Sequence, residues 1–169
     1  MRHLILMRHA KSYWGDSSVS DHERRLNARG RRDAPVMANW LLDQGFKPDQ
    51  ILCSSARRTI ETSQLMNQSW PRDAPVHESS SLYLASAEAI LHTIGSVQTA
   101  ANDAQFAKLM VLAHNPGISQ LAAHLAGEFI QMPTAAVIVL RCHVTTWQDP
   151  LTRDSVEFET EMTPKQIDA

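Results

Sequence analysis

Cysteine is scarce in this sequence, and the scarcity sets aside two classes of small protein at once. Cys53 and Cys142 are the only two, far apart, in apolar surroundings and without CxxC spacing. They read as buried free thiols, not as a disulfide framework or a thiolate metal site. No HExxH-like spacing relates the eight histidines, so no metal and no cofactor is expected. Long apolar runs are absent too. Nothing approaches the roughly 18 residues of a membrane span, and the amino terminus lacks the apolar stretch of a secretory leader. A cytoplasmic location with no membrane partner is the expectation. Repeats and low-complexity tracts are also missing. The net charge of −2 argues against a general nucleic-acid binder.

What the chain does have is ordinary in amount and uneven in placement. A hydrophobic content of 43% in 169 residues is enough for one well-buried core, so a single domain over residues 1–169 is expected. Residues 1–58 carry eleven Lys and Arg against six Asp and Glu, and the remainder carries five against twelve. A basic amino-terminal part favours an anionic ligand.

The first apolar run, Leu4 to Met7, ends abruptly in Arg8-His9, as a strand buried on both faces does at its carboxyl end. Ligands of open α/β sheets bind at such ends. Tyr13 to His22 reads as a loop. Asn27 then caps a helix with apolar residues at Ala34, Met37, Ala38, Leu41 and Leu42 that stops at Gly45, with Pro35 marking a break or kink. A second strand, Gln50 to Cys53, runs into Ser54-Ser55-Ala56-Arg57-Arg58 and a helix from Thr59 to Gln68. Val76 to Glu78 reads as a short strand, and Ser86 to Val97 as a helix. A strand from Lys108 to Ala113 meets His114-Asn115-Pro116-Gly117, and a helix follows over Ile118 to Leu125. Ala135 to Cys142 is a further strand, and Val156 to Met162 alternates as an edge strand does. Strand and helix in alternation predict a three-layer αβα sandwich around a mostly parallel sheet.

Three strand ends therefore present Arg8-His9, Arg57-Arg58 and His114. Guanidinium forks and imidazoles converging on one rim suit a phosphoryl group. A neutral imidazole among fixed cations stays available as a nucleophile, and His9 stands immediately at a strand end. His114 is the second, charge-donating histidine. Spacing alone does not choose between Arg57 and Arg58. His3, His22, His77, His92, His124 and His143 read as structural or surface residues, and most of the arginines between Arg24 and Arg32 as a solvated helix face.

Met7-Arg8-His9-Ala10, Ser54-x-x-x-Arg58-x-x-Glu61-Thr62 and His114-Asn115-Pro116-Gly117 resemble the motifs of the histidine phosphatase superfamily, whose fold is phosphoglycerate mutase-like. Together with Leu26-Asn27-x-x-Gly30, Leu82-Tyr83 and Pro133-Thr134-Ala135, they are most similar to the bacterial SixA-type phosphohistidine phosphatases. The resemblance implies that His9 is the phosphorylated residue and that Arg8, Arg58 and His114 form the phosphate pocket. Arg24, Ser12 and Asn115 are further phosphate-binding candidates, Arg24 against the alternative of a solvated surface residue. Many members also have an acidic leaving-group donor, for which Glu78 is the first candidate and Glu88 the second. The implied activity is cofactor-independent hydrolysis of protein phosphohistidine. The alternatives are a small-molecule phosphomonoesterase or mutase, and a catalytically silent phospho-ligand-binding protein.

Overall fold

Four of the apolar runs line up as the middle of one six-stranded sheet in the computed structural model, which describes residues 1–98 and 106–169. The strands are β1 (Arg2–Arg8), β2 (Gln50–Ser54), β3 (Val76–Ser79), β4 (Lys108–Ala113), β5 (Val137–Cys142) and β6 (Val156–Met162), in the spatial order β3-β2-β4-β1-β5-β6. From β3 to β1 the neighbours are parallel, whereas β5 runs antiparallel to β1 and β6 antiparallel to β5. The central strands are apolar throughout because helices cover both of their faces.

Alternation along β1 divides the core. Ile5 and Met7 face α1 (Ala28–Asp43) and α2 (Arg57–Gln68), where Met37, Leu41 and Met66 meet them. Leu4 and Leu6 face α3 (Ala87–Gly95) and α4 (Gly117–Ala126), against Ile90, Ile94, Leu121 and Leu125. A short α5 (Pro164–Ile167) ends the chain with a Thr163–Gln166 capping box. The layers are those the alternation predicts. No helix among the described residues is long and apolar enough to cross a membrane.

Helix α1 begins where Asn27 accepts a hydrogen bond from the Gly30 N–H and stops at Gly45, whose φ of 77° needs no Cβ. Pro35 does not break it. The helix continues through it. The ring costs one N–H of the ladder, but Ala34, Met37, Ala38 and Leu41 on the buried face hold the axis in place. Helix α3 ends at Gly95, two residues before the expected limit.

The run that starts at Ala135 enters the sheet only at Val137, because Ala135 has a φ of 63°. Its N–H points back across the rim and donates to the carbonyls of both Arg8 (3.1 Å) and His9 (3.0 Å). The His9 N–H donates to the Ala113 carbonyl at 3.2 Å. The carboxyl end of β1 is thus tied on both sides before any side chain is considered.

Candidate active site

Neighbouring parallel strands bring the predicted side chains together. β2, β4 and β1 are adjacent, so the segments after Ser54, Ala113 and Arg8 share one rim. His9 and His114 lie with ring centroids 5.2 Å apart. Arg58, in the first turn of α2, reaches both: its Nε–H donates to His9 Nε2 and its Nη2 to His114 Nδ1, each at 3.3 Å. No side chain caps the amino end of α2, so the helix also turns its positive end towards this rim. Arg57, which spacing could not separate from Arg58, turns away and pairs with Glu61 at 3.1 Å.

The hydrogen bonds assign the tautomers. His9 Nδ1 lies 2.8 Å from the Ala10 carbonyl, which only accepts, so Nδ1 carries the proton and Nε2 keeps its lone pair. His114 Nδ1 faces a guanidinium, which only donates, so Nε2–H donates to Ser54 Oγ at 2.6 Å. Both rings are buried. Burial, opposed by the Ala10 hydrogen bond and reinforced by Arg58, His114 and Arg8, holds His9 well below the ordinary imidazole range. Burial and the charge of Arg58 push His114 down to about 3. Both are neutral at physiological pH.

Among the described residues, Arg8 is bound at one corner, where Nη1 donates to the Met132 carbonyl at 3.2 Å, and its buried Nε has no partner. An unpaired buried N–H costs about 1–3 kcal/mol, a cost that an oxyanion seated between Arg8 and Arg58 would remove.

Asp21 lies in this site although the sequence pattern did not mark it. It sits in a 3-10 turn, Asp21–Glu23, that begins at the end of the stretch Tyr13 to His22 read as loop. Its carbonyl accepts from Arg58 Nη1 (2.7 Å), and its carboxylate accepts from Arg58 Nη2 (3.1 Å), from Arg24 (3.1 Å) and from the Tyr83 hydroxyl (2.5 Å). Burial alone would raise its pKa, but the Tyr83 hydroxyl and the Arg58 and Arg24 guanidiniums draw it down to about 2. The legible signal was the three-residue step from Asp21 to Arg24, one helical turn. Arg24 itself is buried, donates to Ser12 Oγ and lies 3.5 Å beneath the centre of the Trp14 ring. It is not a solvated surface residue.

The other candidates separate. Ser12 is buried against Arg24. Asn115 is turned to the Met132 carbonyl (2.9 Å) and to Ser119, along a groove of about 600 Å³ that Arg8 also lines. Glu78 is exposed on edge strand β3 and bonds to no residue of the site, and its neighbour across the ladder, Cys53, faces the α1–α2 core. Glu88 is exposed at the start of α3, beside the groove at Trp147 and Pro150. Neither carboxylate is brought to the cluster of His9, Arg58 and His114. Glu61 and Thr62, noticed only as motif residues, brace it instead. Thr62 Oγ1 accepts from the Ala10 N–H (3.1 Å) and donates to the Arg58 carbonyl (2.6 Å). Glu61 accepts from the Leu26 N–H at 2.8 Å. Among the described residues no group of three or more His, Cys, Asp or Glu side chains gathers as a metal site.

Residues 4–83, which include Arg8, His9 and Arg58, match the family model of the histidine phosphatase superfamily, branch 1. An uncharacterised chloroplastic protein of Arabidopsis thaliana is 33% identical over 156 residues, covering 88% of this chain and 70% of that protein. An uncharacterised protein of Mycobacterium tuberculosis strain H37Rv is 33% identical over 146 residues, covering 80% of this chain and 86% of the relative. Among solved structures, a putative phosphohistidine phosphatase SixA from Nakamurella multipartitia superposes with a TM-score of 0.80 at 26% identity over 96% of each chain. The protein histidine phosphatase SixA complexed with tungstate shares the fold, with a TM-score of 0.78 at 18% identity, over 98% of this chain and 99% of that one. Matched by the family model over residues 4–83 and 33% identical to relatives over most of its length, the chain belongs to the histidine phosphatase superfamily.

Proposed function

We propose that the protein is a cofactor-independent phosphatase that works through a phospho-His9 intermediate and acts on phosphohistidine in a protein. The observation that carries this reading is the state of His9. Its Nδ1–H is spent on Ala10, so Nε2 keeps the lone pair that would attack, engaged by a long contact from Arg58 Nε–H at 3.3 Å. An incoming phosphoryl group would displace the weak Arg58–His9 contact and take its place between them. Arg8, Arg58 and His114 then surround the equatorial oxygens, where charge accumulates in transfer. Each such preorganised donor is worth about 2.7–4 kcal/mol in transition-state stabilisation.

The SixA name of the similar structures favours phosphohistidine. The pocket chemistry is shared with small-molecule phosphomonoesterases and mutases, which makes substrate comparison decisive. His9→Gln should abolish hydrolysis of para-nitrophenyl phosphate and the acid-labile phosphoenzyme seen after brief mixing. Full turnover by the variant would remove His9 from the mechanism. Wild-type protein should release phosphate faster from a phosphohistidine protein than from sugar phosphates. The reverse preference would make it a small-molecule enzyme, and binding without turnover would make it a phospho-ligand-binding protein.

A further inference from the structure

A phosphoryl transfer from an alcohol or a phenol needs a proton for the departing oxygen, and neither Glu78 nor Glu88 is placed to give it. In-line displacement puts the leaving atom opposite the nucleophile. His9 lies buried at the floor of the site, so the leaving group departs towards the solvent-facing wall. A row of rings leads from buried His9 to the more exposed His22. From His9 the next is His114 (5.2 Å), then Tyr83 (5.6 Å, edge-on), then His22 (4.8 Å, edge-on). The turn carrying His22 is seated directly on the phosphate-binding guanidinium, since Arg58 Nη1 holds the Asp21 carbonyl at 2.7 Å.

We propose that His22, oriented by Glu23 and Ser55 at this mouth, is the acid that protonates the leaving group, an inference that rests on the phosphatase reading above. His22 Nδ1 lies 2.8 Å from a Glu23 carboxylate oxygen, and Nε2 lies 3.0 Å from Ser55 Oγ. The carboxylate only accepts, so Nδ1 carries a proton in either charge state, and Nε2 is the position that gains or gives one. A base or acid oriented from behind by a carboxylate is the arrangement that proton-transferring imidazoles use.

The other titratable groups at the mouth are unsuited. Asp21 is ionised at neutral pH and committed to Arg24, Arg58 and Tyr83. The Tyr83 hydroxyl holds its proton more firmly than a free phenol, through burial and the Asp21 carboxylate it faces. Both groups flank His22 and remain as they are while it exchanges its proton.

The step balances. The His9 Nε2 lone pair forms the N–P bond, the bond from phosphorus to the leaving group breaks (P–N in phosphohistidine, P–O in an ester), and its electron pair takes the proton from His22 Nε2. The ring of His22 is left neutral. In the second half a water oxygen bonds to phosphorus, the N–P electrons return to His9, and the water's proton restores His22.

The test compares His22→Gln with wild type on two esters of the same shape, phenyl phosphate and para-nitrophenyl phosphate, with kcat/KM as the readout because it reports the first transfer alone. A nitrophenolate departs without help, so the variant should keep kcat/KM on that ester within about threefold. On phenyl phosphate it should lose on the order of 10²-fold. Glu23→Gln should show the same split with a smaller loss. Equal losses on both esters, or none on phenyl phosphate, would overturn the assignment. Wild-type protein inactive on both esters and on a phosphohistidine protein would overturn the phosphatase reading itself.

Discussion

Acid should destabilise this protein in part through the buried imidazole of His114, to an extent that can be worked out in advance. His114 is 2% exposed. Its neutral ring is what the folded site holds, with Nδ1 accepting from Arg58 and Nε2–H donating to Ser54. Burial and Arg58 place its pKa at about 3 against an ordinary 6.5. Between those two values the unfolded chain binds a proton that the folded chain refuses. The stabilisation is therefore whole above the ordinary value and is lost as pH falls towards the folded value. At about pH 4.5, about two units below the ordinary value, the loss from this one residue is about 3 kcal/mol. Urea unfolding followed by the fluorescence of the buried Trp147 and Trp70, at about pH 7 and about pH 4.5 in phosphate-free buffer, measures it. A His114→Gln variant removes the titration. Both proteins share the losses due to every other group, so acidification should cost wild type about 3 kcal/mol more than the variant. Equal losses in the two proteins would refute the neutral, buried state of His114 and the tautomer built on it.

Two substitutions probe how the site is supported. A Cβ on Gly117 would lie 1.8 Å from the Ala85 carbonyl oxygen, a backbone atom. Gly117→Ala should therefore cost roughly 1–3 kcal/mol in thermal unfolding and displace the adjoining His114 segment; an unchanged melting temperature with full activity would contradict that close approach. Ser54→Ala leaves the buried His114 Nε2–H without its acceptor and should destabilise by about 1–3 kcal/mol. Its imidazole ¹⁵N shifts should change, and identical shifts in both proteins would remove Ser54 as the partner.

The layers and the principal strand ends were legible because burial on both faces leaves uninterrupted apolar runs, as in Leu4–Met7 and Leu109–Ala113. His9, Arg58 and His114 follow from adjacency of those ends. What was not legible depends on contacts between segments distant in sequence. Asp21 meets Tyr83 across 62 residues, and nothing in the loop around it marks that meeting. Arg24 resembles its exposed neighbours in composition and differs only because Ser12 and Trp14 close over it. Pro35 looked like a breaker because its cost is local and visible, whereas the packing that offsets it comes from the sheet. Glu78 was drawn by its place near a strand end, but alternation across the β2–β3 ladder turns it with Cys53 to the face away from His114.

The reversed direction of β5 has a consequence for how such a chain can change its length. A parallel strand would begin at the far edge of the sheet and leave the rim of the site to others. Because β5 is antiparallel to β1, the link from α4 to β5 arrives at that rim, where Met132 holds Arg8 and Asn115, and Ala135 holds the carbonyls of Arg8 and His9. Residues added at its outer bend, near the exposed Phe129, would hang beside the groove that Arg8 and Asn115 line without entering either helical layer. That bend is the place where an insertion could reshape the groove while His9 stays anchored.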